Sequence, residues 1–117
     1  MSDYSNVDGI MITNIDAIPG YAIAAHYGLV NGSNVRSKNF VVDALAGLKN
    51  VVGGELGGYT KLLEETREES IRRMVQQAKM MGANAIVNVR FSTSSVAAGA
   101  SELYVYGTAV KVVPIQK

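Results

Sequence analysis

Polar and apolar positions along the chain change period several times, and each change marks a predicted element. "GIMITNIDAI" (9–18) is rich in β-branched residues and closes at Pro19-Gly20, a turn signal. "YAIAAHYGLVNG" follows as a second predicted strand, with Tyr21, Ile23, Tyr27 and Leu29 on one parity. Ala22, Ala24, His26, Gly28 and Val30 occupy the other. The bulkier parity is the expected core face, while the small-residue parity suits a closely packed neighbour or solvent. Asn31-Gly32 reads as a turn or bulge. Residues 1–9 are polar and are expected to fray, which leaves a single domain over 10–117.

The period then lengthens. "NFVVDALAGLKNVVGG" (39–54) predicts a helix whose apolar residues, from Phe40 to Val52, spread over more than one stripe. Such a helix must be covered on several sides, and in so short a chain that points to subunit contact. From Tyr59 to Met81, the residues Leu62, Leu63, Thr66, Ser70, Met74, Ala78 and Met81 recur at three- and four-residue steps, one face of a long amphipathic helix. Glu64, Glu65, Glu68 and Glu69 precede Arg72, Arg73 and Lys79, which suits the macrodipole and sets Glu68–Arg72 and Glu69–Arg73 at i,i+4. Gly82 stands where a positive φ ends a helix. "ANAIVNVRFSTSS" (83–95) reads as a strand with Val87, Val89 and Phe91 on one parity, and "STSSVAAGAS" as a polar loop. "ELYVYGTAVKVV" (102–113) is the last strand, stopped by Pro114. The order β-β-α-α-β-β predicts an α+β fold, an antiparallel sheet packed with a long amphipathic helix.

Composition narrows the chemistry. The 117 residues suit one domain, and 48% apolar content without Trp means that aliphatic side chains and Met fill its core. With no Cys, disulfides, thiolate metal sites and cysteine nucleophiles are excluded. A formal net charge of +1 sets up no strong field toward nucleic acid or an anionic membrane. The N-terminus lacks a secretory pattern, and no apolar run approaches the roughly 20 residues of a membrane span. A cytoplasmic protein is expected.

The most site-like stretch is "VVGGELGGYT", four glycines ahead of the long helix. Gly53 and Gly58 have P-loop spacing, but Tyr59 stands where the phosphate-binding Lys belongs. Lys61 is two positions late, about 200° around the helix. No G-x-G-x-x-G can be placed here either. The stretch therefore reads first as a helix–helix joint. Free N–H groups around Gly53, Gly54, Gly57, Gly58 and Tyr59 leave a small-anion or nucleotide-phosphate site as an alternative. His26 is the single histidine, so any metal site must borrow carboxylates such as Asp43 or Glu55 (Asp16 is a third choice), within the chain or from another subunit. No metal-ligand spacing supports it. No G-x-S-x-G elbow occurs, and the acidic block Glu64–Glu69 reads as a solvated helix face. No catalytic residue is assigned, and no cofactor is required beyond the open option of a divalent metal.

Taken in order, "IDAIPGYAIAAHYGLVNG", "DALAGLKNVVGG", "VGGELGGYTKLLEETRE", "GANAIV" and "YGTAVKV" make the chain resemble the YbjQ-like proteins over about residues 10–113. That family is also catalogued under a heavy-metal-binding heading. The resemblance implies a small subunit similar to those of dodecins, assembled into a ring, a homopentamer or a pair of pentamers. It implies no established catalysis, and it supplies no agreed metal ligands. The expected function is that of a ring-forming binding or structural protein without enzymatic activity. A metal site shared between subunits is the first alternative.

Overall fold

Five strands and one long helix account for the residues described in the computed structural model, 4–37, 57–97 and 100–116. The strands are β1 (Ser5–Val7), β2 (Ile10–Ile12), β3 (Tyr21–Ser37), β4 (Ala85–Ala97) and β5 (Ala100–Pro114). The helix α1 spans Gly57–Met80. The predicted helix over 39–54 lies outside the described residues. The sheet order is β1-β2-β4-β5-β3, with α1 on one face.

The mixed α+β class is as expected, but the order of elements and the wholly antiparallel sheet are not. Residues 5–7, expected to fray, pair antiparallel with β2 across the Asp8-Gly9 turn, where both residues have positive φ. The predicted strand over 9–18 ends at Ile12 and runs parallel to β4. Beyond it the chain folds across the helix-free face of the sheet. There Ile18 is fully buried against Ala85, Val87, Val110 and Val112. An apolar run that looked like a continuing strand is thus a short strand followed by a plug.

Bulges interrupt the alternation in two strands, because one extra residue moves later side chains to the opposite face and a second one moves them back. In β3 the register against β5 shifts between Ile23 and Ala25 and again between His26 and Gly28. Tyr21 and Ile23 do pack on the helix-free face, whereas Leu29 on that same face is 78% exposed. Val30, Gly32 and Asn34 are the residues buried toward the helix. Asn31-Gly32 makes no turn; β3 passes straight through it. Gly32 is instead the point of closest helix approach, where an added Cβ would lie 2.0 Å from the Ser70 carbonyl oxygen. In β4 the break falls at Asn88, which has φ 56° and separates Val87 on one face from Val89 on the other.

The helix follows its pattern closely. Thr66, Ser70, Met74 and Ala78 are buried with Val75, while Met81 at the end of the predicted stripe is 37% exposed. Its C-terminus is a Schellman motif: the Ala83 N–H donates to the Ala78 carbonyl at 3.1 Å and the Gly82 N–H to Lys79 at 3.0 Å. Gly82 has the anticipated positive φ of 86°. Of the two expected ion pairs, Glu69–Arg73 forms at 2.7 Å, and Glu68 and Arg72 do not pair among the described residues. A ridge at four-residue steps also reaches the edge strand β3. Gln77 Oε1 accepts from the Asn31 N–H at 2.7 Å, Arg73 donates to the Ser33 carbonyl, and Glu69 accepts from the Asn34 amide at 2.9 Å. The arms of Gln77 and Arg73 occupy backbone groups that a bare sheet edge would offer to another chain.

The "GANAIV" signature has a structural cause as well. The Asn84 side chain donates to the Val112 carbonyl at 2.9 Å and accepts from the Val112 N–H at 2.8 Å. Both backbone groups of one β5 residue are thereby satisfied as a neighbouring strand would satisfy them.

Candidate functional site

Where β2 stops and β4 continues, the sheet has a step, and the step forms an open groove of about 600 Å³. Tyr4 and Ser5 border it from the N-terminal strand, Ile12, Thr13 and Asn14 from the end of β2, and Val89, Arg90 and Phe91 from β4. Backbone hydrogen bonds hold the step together. Thr13 N–H donates to Ile86, Val89 N–H to Thr13 and Asn88 N–H to Ile15, at 2.9–3.1 Å. The Thr13 hydroxyl, itself buried, accepts from the Ile15 N–H at 3.4 Å.

The bulge at Asn88 decides what the groove contains. With unbroken alternation Arg90 would share a face with Ile86, beneath the helix. The extra residue places Val89 there and turns Arg90 to the helix-free face, opposite Tyr106. Bulges next to functional sites re-aim side chains in this way. One guanidinium nitrogen of Arg90, Nη1, donates to the carbonyls of Asn14 at 2.5 Å and Val89 at 3.0 Å. Among the described residues its Nε and Nη2 have no acceptor and no carboxylate pairs with it. None of the lining residues is acidic. Phe91, opposite Val105, turns to the other face of β4 and is 47% exposed. At the far wall Tyr4 meets Tyr21 edge-on, with ring centroids 6.4 Å apart. The charge that Tyr21 would carry, and the hydrogen bond between the two side chains, raise the Tyr4 phenol above its usual range. Tyr4 is therefore a neutral wall at physiological pH.

None of the anticipated site residues lines this groove. His26 lies on β3, at the opposite edge of the sheet, exposed between two bulges and paired with Val110. Asp43 and Glu55, its expected partners, lie outside the described residues, as do Gly53 and Gly54. No group of three or more His, Asp or Glu residues that could hold a metal occurs among the described residues. Gly57, Gly58 and Tyr59 form the first turn of α1, so the helix begins two residues earlier than predicted. The sequence does carry one sign of the groove. Asn88 interrupts "AIVNVRF" at an alternating position, and Asn is among the few residues that tolerate positive φ.

Comparison with known proteins bears on this arrangement. The family described as "Putative heavy-metal-binding" (YbjQ) matches residues 10–113. The chain belongs to the YbjQ-like family. UPF0145 proteins are its relatives: that of Hahella chejuensis is 63% identical over 101 residues, covering 86% of this chain and 97% of the relative. The Thermus thermophilus protein is 47% identical over 108 residues, with 92% and 95% covered. An archaeal relative from Methanosarcina acetivorans is 50% identical over 103 residues, with 88% and 97% covered. Among solved structures, a protein of unknown function of the DUF74 family from Pediococcus pentosaceus superposes with a TM-score of 0.59. At 14% identity, covering 91% of this chain and 100% of that one, it speaks for a shared fold. Within the YbjQ-like family the chain thus has kin of nearly its own length in bacteria and archaea, and the names of these relatives state no activity. No described helix is long and apolar enough to cross a membrane.

Proposed function

We propose that this YbjQ-like chain is the subunit of a ring-forming homo-oligomer, a homopentamer or a pair of pentamers, that binds or organises rather than catalyses. Leu29 carries the reading: a large aliphatic side chain, 78% exposed, on the helix-free face of the edge strand β3. On one side of it lies Thr108, and further along the same face Tyr104 and Tyr106 stack at 5.5 Å. Ile18 plugs one end of this face and leaves the other open. The radius of gyration, 17.3 Å, supports the same conclusion. A self-contained domain of this length has a value near 13 Å. Strands of 15 and 17 residues that reach so far are ordinarily supported by a neighbouring copy. Native mass spectrometry at micromolar concentration is expected to show a closed oligomer, and Leu29→Glu to shift it to smaller species. A wild-type monomer under those conditions refutes the assembly.

A second reading follows the family's heavy-metal description. His26 is exposed on the helix-free face and free to meet carboxylates of another copy. Calorimetry with Zn²⁺, Ni²⁺ and Cu²⁺ on tag-free protein is the check. Saturable binding should weaken about tenfold or more in His26→Ala, since a neutral imidazole is the one strong borderline ligand in the chain. Binding that ignores the substitution removes His26 from the site.

A further inference from the structure

We infer that the outer edge of β4 beyond the end of β2, from Phe91 to Ser95, pairs with a β-strand of a second copy of this chain. This pairing rests on the homo-oligomer proposed above and gives it a second contact surface, separate from the Leu29 face. A ring needs two, because each copy in it meets its two neighbours through different surfaces.

The strand changes character along its length. Ala85, Ile86 and Val87 are buried, and β2 covers the outer edge at Ala85 and Ile86. The Ile15 and Thr13 carbonyls continue that cover to the N–H groups of Asn88 and Val89. Beyond this point only β5 adjoins β4 among the described residues. Phe91, Ser92, Thr93 and Ser94 are all exposed, so neither face of this stretch is packed. The Val89 N–H points away from β5, toward Thr13. Hydrogen-bonding direction alternates along a strand, so the N–H and C=O groups of Phe91, Thr93 and Ser95 point outward as well.

The opposite edge shows how this fold treats an edge that is closed to pairing. On β3 two register shifts break the run between Ile23 and Gly28, and Gln77 and Arg73 of α1 take the Asn31 N–H and the Ser33 carbonyl. The β4 segment "FSTSSVA" (91–97) has no Pro and no charge, and its register against β5 is unbroken from Arg90 to Ser95. Bulges, charges, proline and covering groups are the usual protections of a strand edge, and an edge without them is a template for another strand. A foreign peptide at such an edge is selected by pockets for its alternate side chains. Ser92, Thr93 and Ser94 offer small hydroxyls and no charge, which gives hydrogen-bonding capacity with little selectivity. A second copy needs no such selection, since the Leu29 face brings it into place.

Hydrogen exchange, read residue by residue on the full-length wild-type oligomer, tests the pairing. The outward amides of Phe91 and Thr93 should exchange as slowly as the inward amides of Arg90 and Ser92. They should become fast in protein dissociated by dilution or by Leu29→Glu, while the inward amides stay slow. Thr93→Pro should shift the oligomer to smaller species in native mass spectrometry, and Thr93→Ala should leave it intact. Proline removes an outward N–H that β5 does not use, a loss that an edge facing solvent tolerates. Exchange on wild type needs no substitution, so it decides the matter even if Thr93→Pro fails to fold. A wild-type oligomer whose Phe91 and Thr93 amides exchange fast leaves the assembly standing and overturns the pairing. Protection that survives dissociation assigns the cover to the chain itself and also overturns it, as does an intact Thr93→Pro oligomer. A wild-type monomer removes the assembly and the pairing together.

Discussion

Replacing Gly32 by alanine is expected to lower stability by about 3 kcal/mol or more, the upper part of the range for overpacking a close-packed site. The reason is geometric. An alanine Cβ at that position would stand 2.0 Å from the Ser70 carbonyl oxygen and 2.8 Å from the Met74 nitrogen, both atoms of the helix backbone. No rotamer change relieves such a clash; α1 must lift from β3. Lifting it would uncover Met74, Val75 and Ala78 together, and would pull Gln77, Arg73 and Glu69 from their partners on β3. Gly107→Ala supplies a milder contrast. Its nearest obstruction is the Cγ2 methyl of Ile86 at 2.7 Å, a side-chain atom, although the Val87 carbonyl oxygen follows at 3.0 Å. Urea unfolding of the two variants at one fixed protein concentration makes the comparison. A loss below about 1 kcal/mol for Gly32→Ala would contradict the close helix approach.

Ile86→Ala should cost about 2–5 kcal/mol, the range for truncating a buried aliphatic side chain to alanine. Ile86 is fully buried on the central strand β4, in the cluster with Val30, Met74, Val89, Val105 and Ala109. The cavity left there is walled by two strands and a helix, and none of them can collapse without breaking register. Met80→Ala provides the control, because Met80 is 88% exposed at the helix end. That change should stay within about 0.5 kcal/mol. With total stability of about 5–15 kcal/mol for a typical domain, Ile86→Ala is expected to shift the unfolding midpoint visibly and Met80→Ala to leave it in place. Equal effects in the two variants would contradict the burial pattern.

The helix was legible from sequence because its signals are local. Thr66, Ser70, Met74 and Ala78 repeat at the helical period, Glu69 and Arg73 sit one turn apart, and Gly82 supplies a positive φ that other residues resist. Each of these depends on neighbours within five residues. The β4–β5 hairpin was legible for the same reason, though its strands run further into the small-residue segment than alternation suggested. Strand faces were much less so. Alternation assigns a face only while the pairing is regular: the shift at Asn88 parted Val89 from Val87, and the two shifts in β3 turned His26 to the face of Tyr21 and Ile23 before cancelling beyond it.

The candidate groove belongs wholly to that second class. "NVRF" carries no motif, and Arg90 becomes a fixed, unpaired cation only because the Asn88 bulge turns it outward and the Asn14 carbonyl, 76 residues away in sequence, holds it. The parallel pairing of β2 with β4 and the burial of Ile18 on the helix-free face likewise join segments far apart in the chain. By itself the sequence determined the α+β class, the long helix with its cap, the absence of thiol chemistry and the family. Which strands adjoin, which faces are inward, and where the Arg90 cation is held were decided by tertiary structure. Those features arise from long-range pairings and single-residue register shifts, which leave almost no trace in local periodicity.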